Sequence, residues 1–288
     1  TREWQSARVE GITVAVEEGI TIPVLMLRPL ASGSRPLPVV AVVSQSGSER
    51  FMHNRLTEVR ALLRGGAAVC LMDVRGVGET SLDQRRHPGS TGISQAASEL
   101  MLGKTLLGAR LKDLRTVLSY LRKRSDVDLQ RIAVWGDSDI PLNPARLLLD
   151  EAAGWRIGPD IQQQAEPLGG LLAILAGLYE GDLRAIAARR TLGSYLSVLD
   201  SQFTYVPSDV IIPGIVEAGD IADAAAAVSP QALLIAEPIN GRNRPLSQPE
   251  IDSTLAVTFA AYQASGGRMT VKSTPGTQTL SEWILAQF

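Results

Sequence analysis

Four short apolar runs constrain this chain more than any other feature. They are LPVVAVVSQSG (37–47), AAVCLMDVRG (67–76), DLQRIAVWG (128–136) and QALLIAEP (231–238). Each is hydrophobic without alternation and stops at Ser, Asp, Gly or Pro, which suits a strand buried on both faces. Helical patterns lie between them. RLTEVRALLRGG (55–66) ends on a Gly-Gly stop, and LGARLKDLRTVLSYLRKR (107–124) is the clearest amphipathic stretch. LGGLLAILAGLYEGDLRAIAARR (168–190) reads as a helix and then a strand. QPEIDSTLAVTFAAYQASGG (248–267) reads as one glycine-stopped helix, RMTVKS (268–273) as a last strand and LSEWILAQF (280–288) as a last helix. Buried strands alternating with helices predict an α/β fold, a mainly parallel central sheet flanked by helices. RVEGITVAVEEGITIPVLMLRP (8–29), rich in β-branched residues around EEG, adds an N-terminal antiparallel hairpin at one edge. The expectation is a single domain over residues 1–288, with an insertion at about 140–167 where Pro141 and Pro144 break any immediate helix.

Composition narrows the function. A net charge of −2 without a basic stripe argues against nucleic acid as a partner. The apolar runs are too short to span a membrane. The single Cys70 lies in an apolar run and reads as a small buried hydrophobe. No His/Cys/carboxylate cluster has zinc spacing, and Gly76-x-Gly78 is too short for a dinucleotide fingerprint, so no cofactor or metal is expected. The chain starts at Thr1 rather than Met, so a removed leader or a preceding domain of the same chain is expected upstream.

In open parallel sheets the chemistry gathers at the carboxyl ends of the strands. There, AVWGDSDIP (133–141) ends an apolar run in a turn close to G-x-S-x-G, with Ser138 at the serine position and Ile140 at that of the last glycine. MDVRGVGET (72–80), the helix-to-strand stretch 106–138 and the late segment VIIPGIVEAGDIADAAAAVSPQALLIAEPINGRNRP (210–245) occur in the same order as in the α/β-hydrolase superfamily. The chain resembles its bacterial acetylxylan-esterase-like hydrolases over almost its whole length, with a degenerate catalytic triad.

That resemblance implies Ser138 as nucleophile, and an oxyanion held by the Asp139 amide and the loop Gln45 to Gly47. It implies an acid just after the 232–236 strand, where Asn240 stands, and a histidine in KSTPGTQT (272–279), which has none. It also implies an extracytoplasmic location and a small-molecule or carbohydrate ester as ligand. Four features of the residues oppose the chemistry. A serine without an adjacent base is a weak nucleophile, and Asn cannot stabilise an imidazolium as a carboxylate does. The flanking Asp137 and Asp139 repel a developing oxyanion. Ile140 replaces a small residue where helix and strand should pack closely.

The chain has only two histidines. His53, after the first buried strand, could pair with Ser138, oriented by Asp137, Asp139 or Glu79; His87 in RRHPGS (85–90) could also approach. Both also read as solvated loop histidines. Asp73 and Arg75 read as a structural pair behind the turn, with the glycines serving the turn itself. Arg242 and Arg244 read equally as an anion site or a solvated loop, and Asp220 and Asp223 as a helix cap. Asp137 with Asp139 is a weak cation signal. Two functions remain open. One is an acetylxylan-esterase-like carboxylic-ester hydrolase working through an acyl-Ser138 intermediate, with a site rebuilt around His53 as a third possibility. The other is a catalytically inactive hydrolase-fold binding or structural module, the second hydrolase domain of a longer chain.

Overall fold

The computed structural model describes residues 2–4, 7–30, 33, 35–81, 90–144, 163–200, 204–274 and 279–288. Its strands are β1 (Arg2–Trp4), β2 (Ala7–Glu17), β3 (Ile20–Pro29), β4 (Leu37–Ser44), β5 (Ala68–Met72), β6 (Val127–Asp137), β7 (Ala185–Arg189), β8 (Ala232–Ala236) and β9 (Met269–Lys272). They form one sheet in the order β1-β2-β3-β5-β4-β6-β7-β8-β9. The hairpin β2–β3 joins β5 antiparallel, and every pair from β5 to β9 is parallel. The helices are α1 (Gly47–Arg64), α2 (Ser90–Met101), α3 (Leu106–Arg122), α4 (Leu168–Tyr179), α5 (Leu196–Leu199), α6 (Ile215–Ala218), α7 (Ile221–Ala227), α8 (Gln248–Thr254), α9 (Ala256–Ser265) and α10 (Leu280–Leu285).

The continuous apolar runs are continuous because the sheet is covered twice. In β4, Val39, Ala41 and Val43 enter the core beneath α3, α4 and α7, while Val40 and Val42 enter the opposite core beneath α1 and α10. β6 divides the same way, Ile132 and Val134 against Ala133 and Trp135. Phe51 of α1 meets Trp135 edge-to-face, with ring centroids 5.0 Å apart. Cys70 is buried in β5, and that burial pushes its thiol up to about 12.

Several elements depart from the sequence reading. α1 begins at Gly47, well before Arg55, and bends at Arg55, whose φ/ψ of −113°/17° is non-helical. The stretch 248–267 is two helices broken at Leu255. Asp220 caps α7 as expected, and its amide donates in return to Asp223 Oδ2 at 2.8 Å. Asp73 and Arg75 do not pair with each other. Asp73 accepts the amides of Ser48 (2.7 Å) and Glu79 (2.9 Å), while Arg75 binds Asp113 and Glu17. The reason is local geometry: the loop folds inward over the Asp73 carboxylate, and a Cβ on Gly78 would lie 2.1 Å from its Oδ2.

Ile140 is not where helix and strand pack closely. That contact belongs to Gly136 against Gly169 and Gly170 of α4, since a Cβ on Gly136 would lie 1.9 Å from the Gly169 carbonyl oxygen. The helix under the turn thus starts only after the expected insertion, whose residues 145–162 lie outside the described residues. Its two ends are held together by Asn143. The Asn143 Nδ2 donates to the Gln163 carbonyl (2.9 Å) and the Arg242 carbonyl (3.0 Å), and its Oδ1 accepts the Gln163 amide (2.8 Å).

Candidate functional site

The carboxyl ends of β4, β6, β7 and β8 bring one set of charged residues to Ser138. β6 ends at Asp137, whose side chain has no exposed surface. Its Oδ2 accepts Arg55 Nε at 2.7 Å, and its Oδ1 accepts Arg189 Nη1 at 3.0 Å and the Ser138 amide at 2.8 Å. The bend in α1 places Arg55 here, and its Nη2 also lies 3.3 Å from Asp139 Oδ1. Arg189, the last residue of β7, donates from the same Nη1 to the Ser138 carbonyl at 2.6 Å. Burial pushes the Asp137 carboxyl above the usual carboxylate range, against the pull of Arg189 and Arg55.

The next strand end supplies Glu237. It follows β8 directly and is 6% exposed. Its Oε1 accepts Arg189 Nε at 2.8 Å, and its Oε2 accepts Arg190 Nε at 3.1 Å. Burial opposes its ionisation, but Arg189 and Arg190 together outweigh that and hold its carboxyl below the usual range. Arg190 and Glu237 both have positive φ, 51° and 52°. A non-glycine residue in that region is strained by about 1–3 kcal/mol and persists only where its surroundings enforce it. Here the left-handed turns at two neighbouring strand ends aim an arginine and a glutamate at each other. Arg190 Nη1 also donates to the Ile140 carbonyl at 2.6 Å.

The expected site residues are distributed as follows. Ser138 is 3% exposed at the end of β6, and no hydrogen bond to its hydroxyl is present among the described residues. His53 is exposed on α1, and Arg55, two residues on, faces the turn instead; among the described residues no hydrogen bond joins His53 to Ser138. His87 and residues 275–278 of KSTPGTQT lie outside the described residues. The Gln45 Oε1 accepts the Leu168 amide at 3.2 Å, at the start of α4. Asp139 faces Arg55. Asn240 closes a turn, its Oδ1 accepting the amides of Arg242 (3.0 Å) and Arg244 (3.2 Å). The carboxylate at the end of β8 is Glu237 rather than Asn240. Arg242 donates from Nη2 to the Asp200 carbonyl at 3.3 Å. The repulsion expected from Asp137 is offset by two guanidinium groups, which the sequence could not place beside it.

Sequence reasoning missed Arg55, Arg189, Arg190, Glu237 and Glu166. Glu237 had a signal, being a charged residue directly after an apolar run. The arginines had none, because they converge from α1 and the end of β7, far apart in the chain.

The strand order, a serine turn after β6 and an acidic residue after β8 define the α/β-hydrolase fold, and this chain has that fold. Among solved structures it is similar to carbohydrate esterases. One is a protein assigned as an acetyl xylan esterase from Bacteroides fragilis NCTC 9343: TM-score 0.69, 16% identity, 94% of this chain and 68% of that one covered. A glucuronoyl esterase from Solibacter usitatus matches with TM-score 0.58 and 15% identity over 98% of this chain and 80% of that one. The acetyl xylan esterase from Paenibacillus sp. R4 matches with TM-score 0.58 and 18% identity over 94% of this chain and 79% of that one. No family model matches the sequence, and no curated protein matches it. Among the described residues no helix is long and apolar enough to cross a membrane.

Proposed function

We propose that this chain is an esterase-like hydrolase-fold module that binds a small molecule or carbohydrate ester without hydrolysing it through Ser138. The observation that carries this reading is the buried network beside Ser138: Arg189 ties the Ser138 carbonyl, Asp137 and Glu237 together, and among the described residues no hydrogen bond joins a histidine to the Ser138 hydroxyl. A guanidinium has no acceptor and does not give up its proton near neutral pH, so it cannot take the serine proton. The Glu237 carboxylate, which would otherwise orient a base, is held by two arginines. A role as the second hydrolase domain of a longer chain fits the same picture, a kept scaffold with its polar centre converted into a buried ion-pair network.

One observation favours the rival reading, a carbohydrate-ester hydrolase acting through Ser138. Burial pushes the Glu166 carboxyl up to about 7, with Asp139 of the turn among the charges acting on it, which suits a general base. Fluorophosphonate labelling followed by intact mass separates the two. The binding reading expects no adduct on folded wild type and no hydrolysis of p-nitrophenyl acetate that depends on Ser138. A stoichiometric adduct lost in both Ser138→Ala and Glu166→Gln would overturn it and establish a Ser138–Glu166 hydrolase. An adduct lost in Ser138→Ala and His53→Ala instead would assign the base to His53.

A further inference from the structure

β7, β8 and β9 run parallel to β6, so their amino ends form the edge of the sheet opposite Ser138. An open groove of about 810 Å³ lies along that edge, lined among others by Asp182, Arg184, Gln231 and Arg268. Small-molecule sites typically span about 300–1,000 Å³, so the groove is large enough for one. Arg184 immediately precedes β7 and Arg268 immediately precedes β9, with β8 between them. Their backbones therefore stand two strand spacings apart, roughly 10 Å.

One residue holds both side chains. Arg184 Nε donates to the Gln287 backbone carbonyl at 2.6 Å, and Arg268 Nη1 donates to Gln287 Oε1 at 3.0 Å. Gln287 is 6% exposed, and its own Nε2 donates to the Trp283 carbonyl at 2.9 Å, which fixes it in place. Each guanidinium uses one of its five N–H donors in this way. Both arginines are exposed, and among the described residues neither has a carboxylate partner. Asp182, the one acid among the described residues lining the groove, is engaged by Arg122, which donates to it from Nε at 2.8 Å and from Nη2 at 2.5 Å. α4 also ends at the groove, and the carbonyls at a helix end disfavour an anion. The Gly177 carbonyl among them is taken up by Gln231 Nε2 at 2.9 Å. Two like charges held together repel each other, and an anion between them turns that repulsion into attraction.

We propose that Arg184 and Arg268 form a binding site, separate from the serine turn, for a small organic anion, a carboxylate or a phosphate monoester. Both chemistries present paired oxygens that match the guanidinium fork. The groove leaves room for a hydroxylated frame behind the anionic group, with Leu178 and Pro230 as its apolar lining. Two guanidinium groups already fixed by Gln287 lose little freedom on binding. The site does not depend on whether Ser138 reacts.

The test is an amide-resolved NMR titration of the whole chain at a constant ionic strength of about 0.15 M. The probes are gluconate and glucose 6-phosphate, with glucose as the uncharged control. The expected result is saturable shifts centred on residues 182–184, 229–232 and 266–268 with the two anions, and none with glucose. Affinity should fall about tenfold in Arg184→Gln and in Arg268→Gln, each of which removes one charged contact. Arg8→Gln removes an exposed arginine on β2, towards the other edge of the sheet, and should leave affinity unchanged because salt screens so distant a charge. Tighter binding of gluconate assigns the site to carboxylates and tighter binding of glucose 6-phosphate to phosphate monoesters; either upholds it. Non-saturable shifts, an equal response to glucose, shifts centred on residues 137–139, an affinity unchanged in either groove variant, or an equal loss in Arg8→Gln would each overturn the proposal. Arg184→Gln also removes the contact to the Gln287 carbonyl; should it not fold, Arg268→Gln carries the comparison.

Discussion

Replacing Arg189 with Met keeps the length and apolar stem of the side chain and removes its charge. The structure sets the expected loss. Four hydrogen bonds disappear: to Glu237 Oε1 (2.8 Å) and Oε2 (3.3 Å), to Asp137 Oδ1 (3.0 Å) and to the Ser138 carbonyl (2.6 Å). Asp137 keeps Arg55 and Glu237 keeps Arg190, so neither carboxylate is stranded, but the buried cluster loses one positive charge. Removing one partner of a buried pair typically costs about 3–5 kcal/mol, mostly as uncompensated burial of the other charge. With an unfolding entropy of about 2.1 cal/mol/K per residue over 288 residues, that is a fall in melting temperature of about 5–8 °C. The assay is thermal and urea unfolding of wild type, Arg189→Met, and Arg189→Met combined with Asp137→Asn and Glu237→Gln. Neutralising the two carboxylates should recover at least half of the loss, because the cluster's excess negative charge is its main source. Arg189→Lys should fall between wild type and Met, since one ammonium cannot span Asp137, the Ser138 carbonyl and Glu237. A loss under about 1 kcal/mol in Arg189→Met, or no recovery in the triple variant, would refute the view that the network is buried and charge-balanced.

Other consequences can be checked alongside. Glu166 has its carboxyl raised from 4.5 to about 7 in the folded state, so the native protein binds the extra proton and stability falls as pH rises from about 4.5 through 7. Glu166→Gln removes this dependence, and urea unfolding from pH 4.5 to 8 should show it gaining on wild type by on the order of 3 kcal/mol. Gly136→Ala should fail to give a folded product in refolding and gel-filtration trials, because its Cβ meets the α4 backbone at Gly169 rather than a side chain that can move. Phe51→Ala opens a cavity against Trp135 and should cost about 3–5 kcal/mol by urea unfolding. Asn143→Ala removes three hydrogen bonds, to the Gln163 amide and to the Gln163 and Arg242 carbonyls; limited proteolysis should cut within 140–167 markedly faster than in wild type.

Much of the scaffold was legible in the chain because burial on two faces leaves a local mark. The apolar runs in β4, β5 and β8 and in residues 132–135 of β6 leave no polar side chain to turn outward, so their position was readable one at a time, and the hairpin was readable from its turn and β-branched residues. α5 and α6 were missed because helices of four residues owe their existence to neighbours, and α2 was not read from the chain although it has twelve residues. The break at Leu255 was missed because a helical period continues on either side of it.

For the site, sequence alone determined that a serine would end β6 without a histidine after β9, since residue identity and strand order suffice for that. Only the tertiary structure decided which charged residues gather beside Ser138. Arg55, Arg189, Arg190 and Glu237 come from α1, β7 and β8, and their meeting depends on a bend at Arg55 and two left-handed turns. Hydrophobic periodicity reports how each segment meets the core. It carries no information on which charges from distant segments neutralise one another, because that pairing is set by side-chain reach across strand ends and by the cost of leaving a buried charge alone.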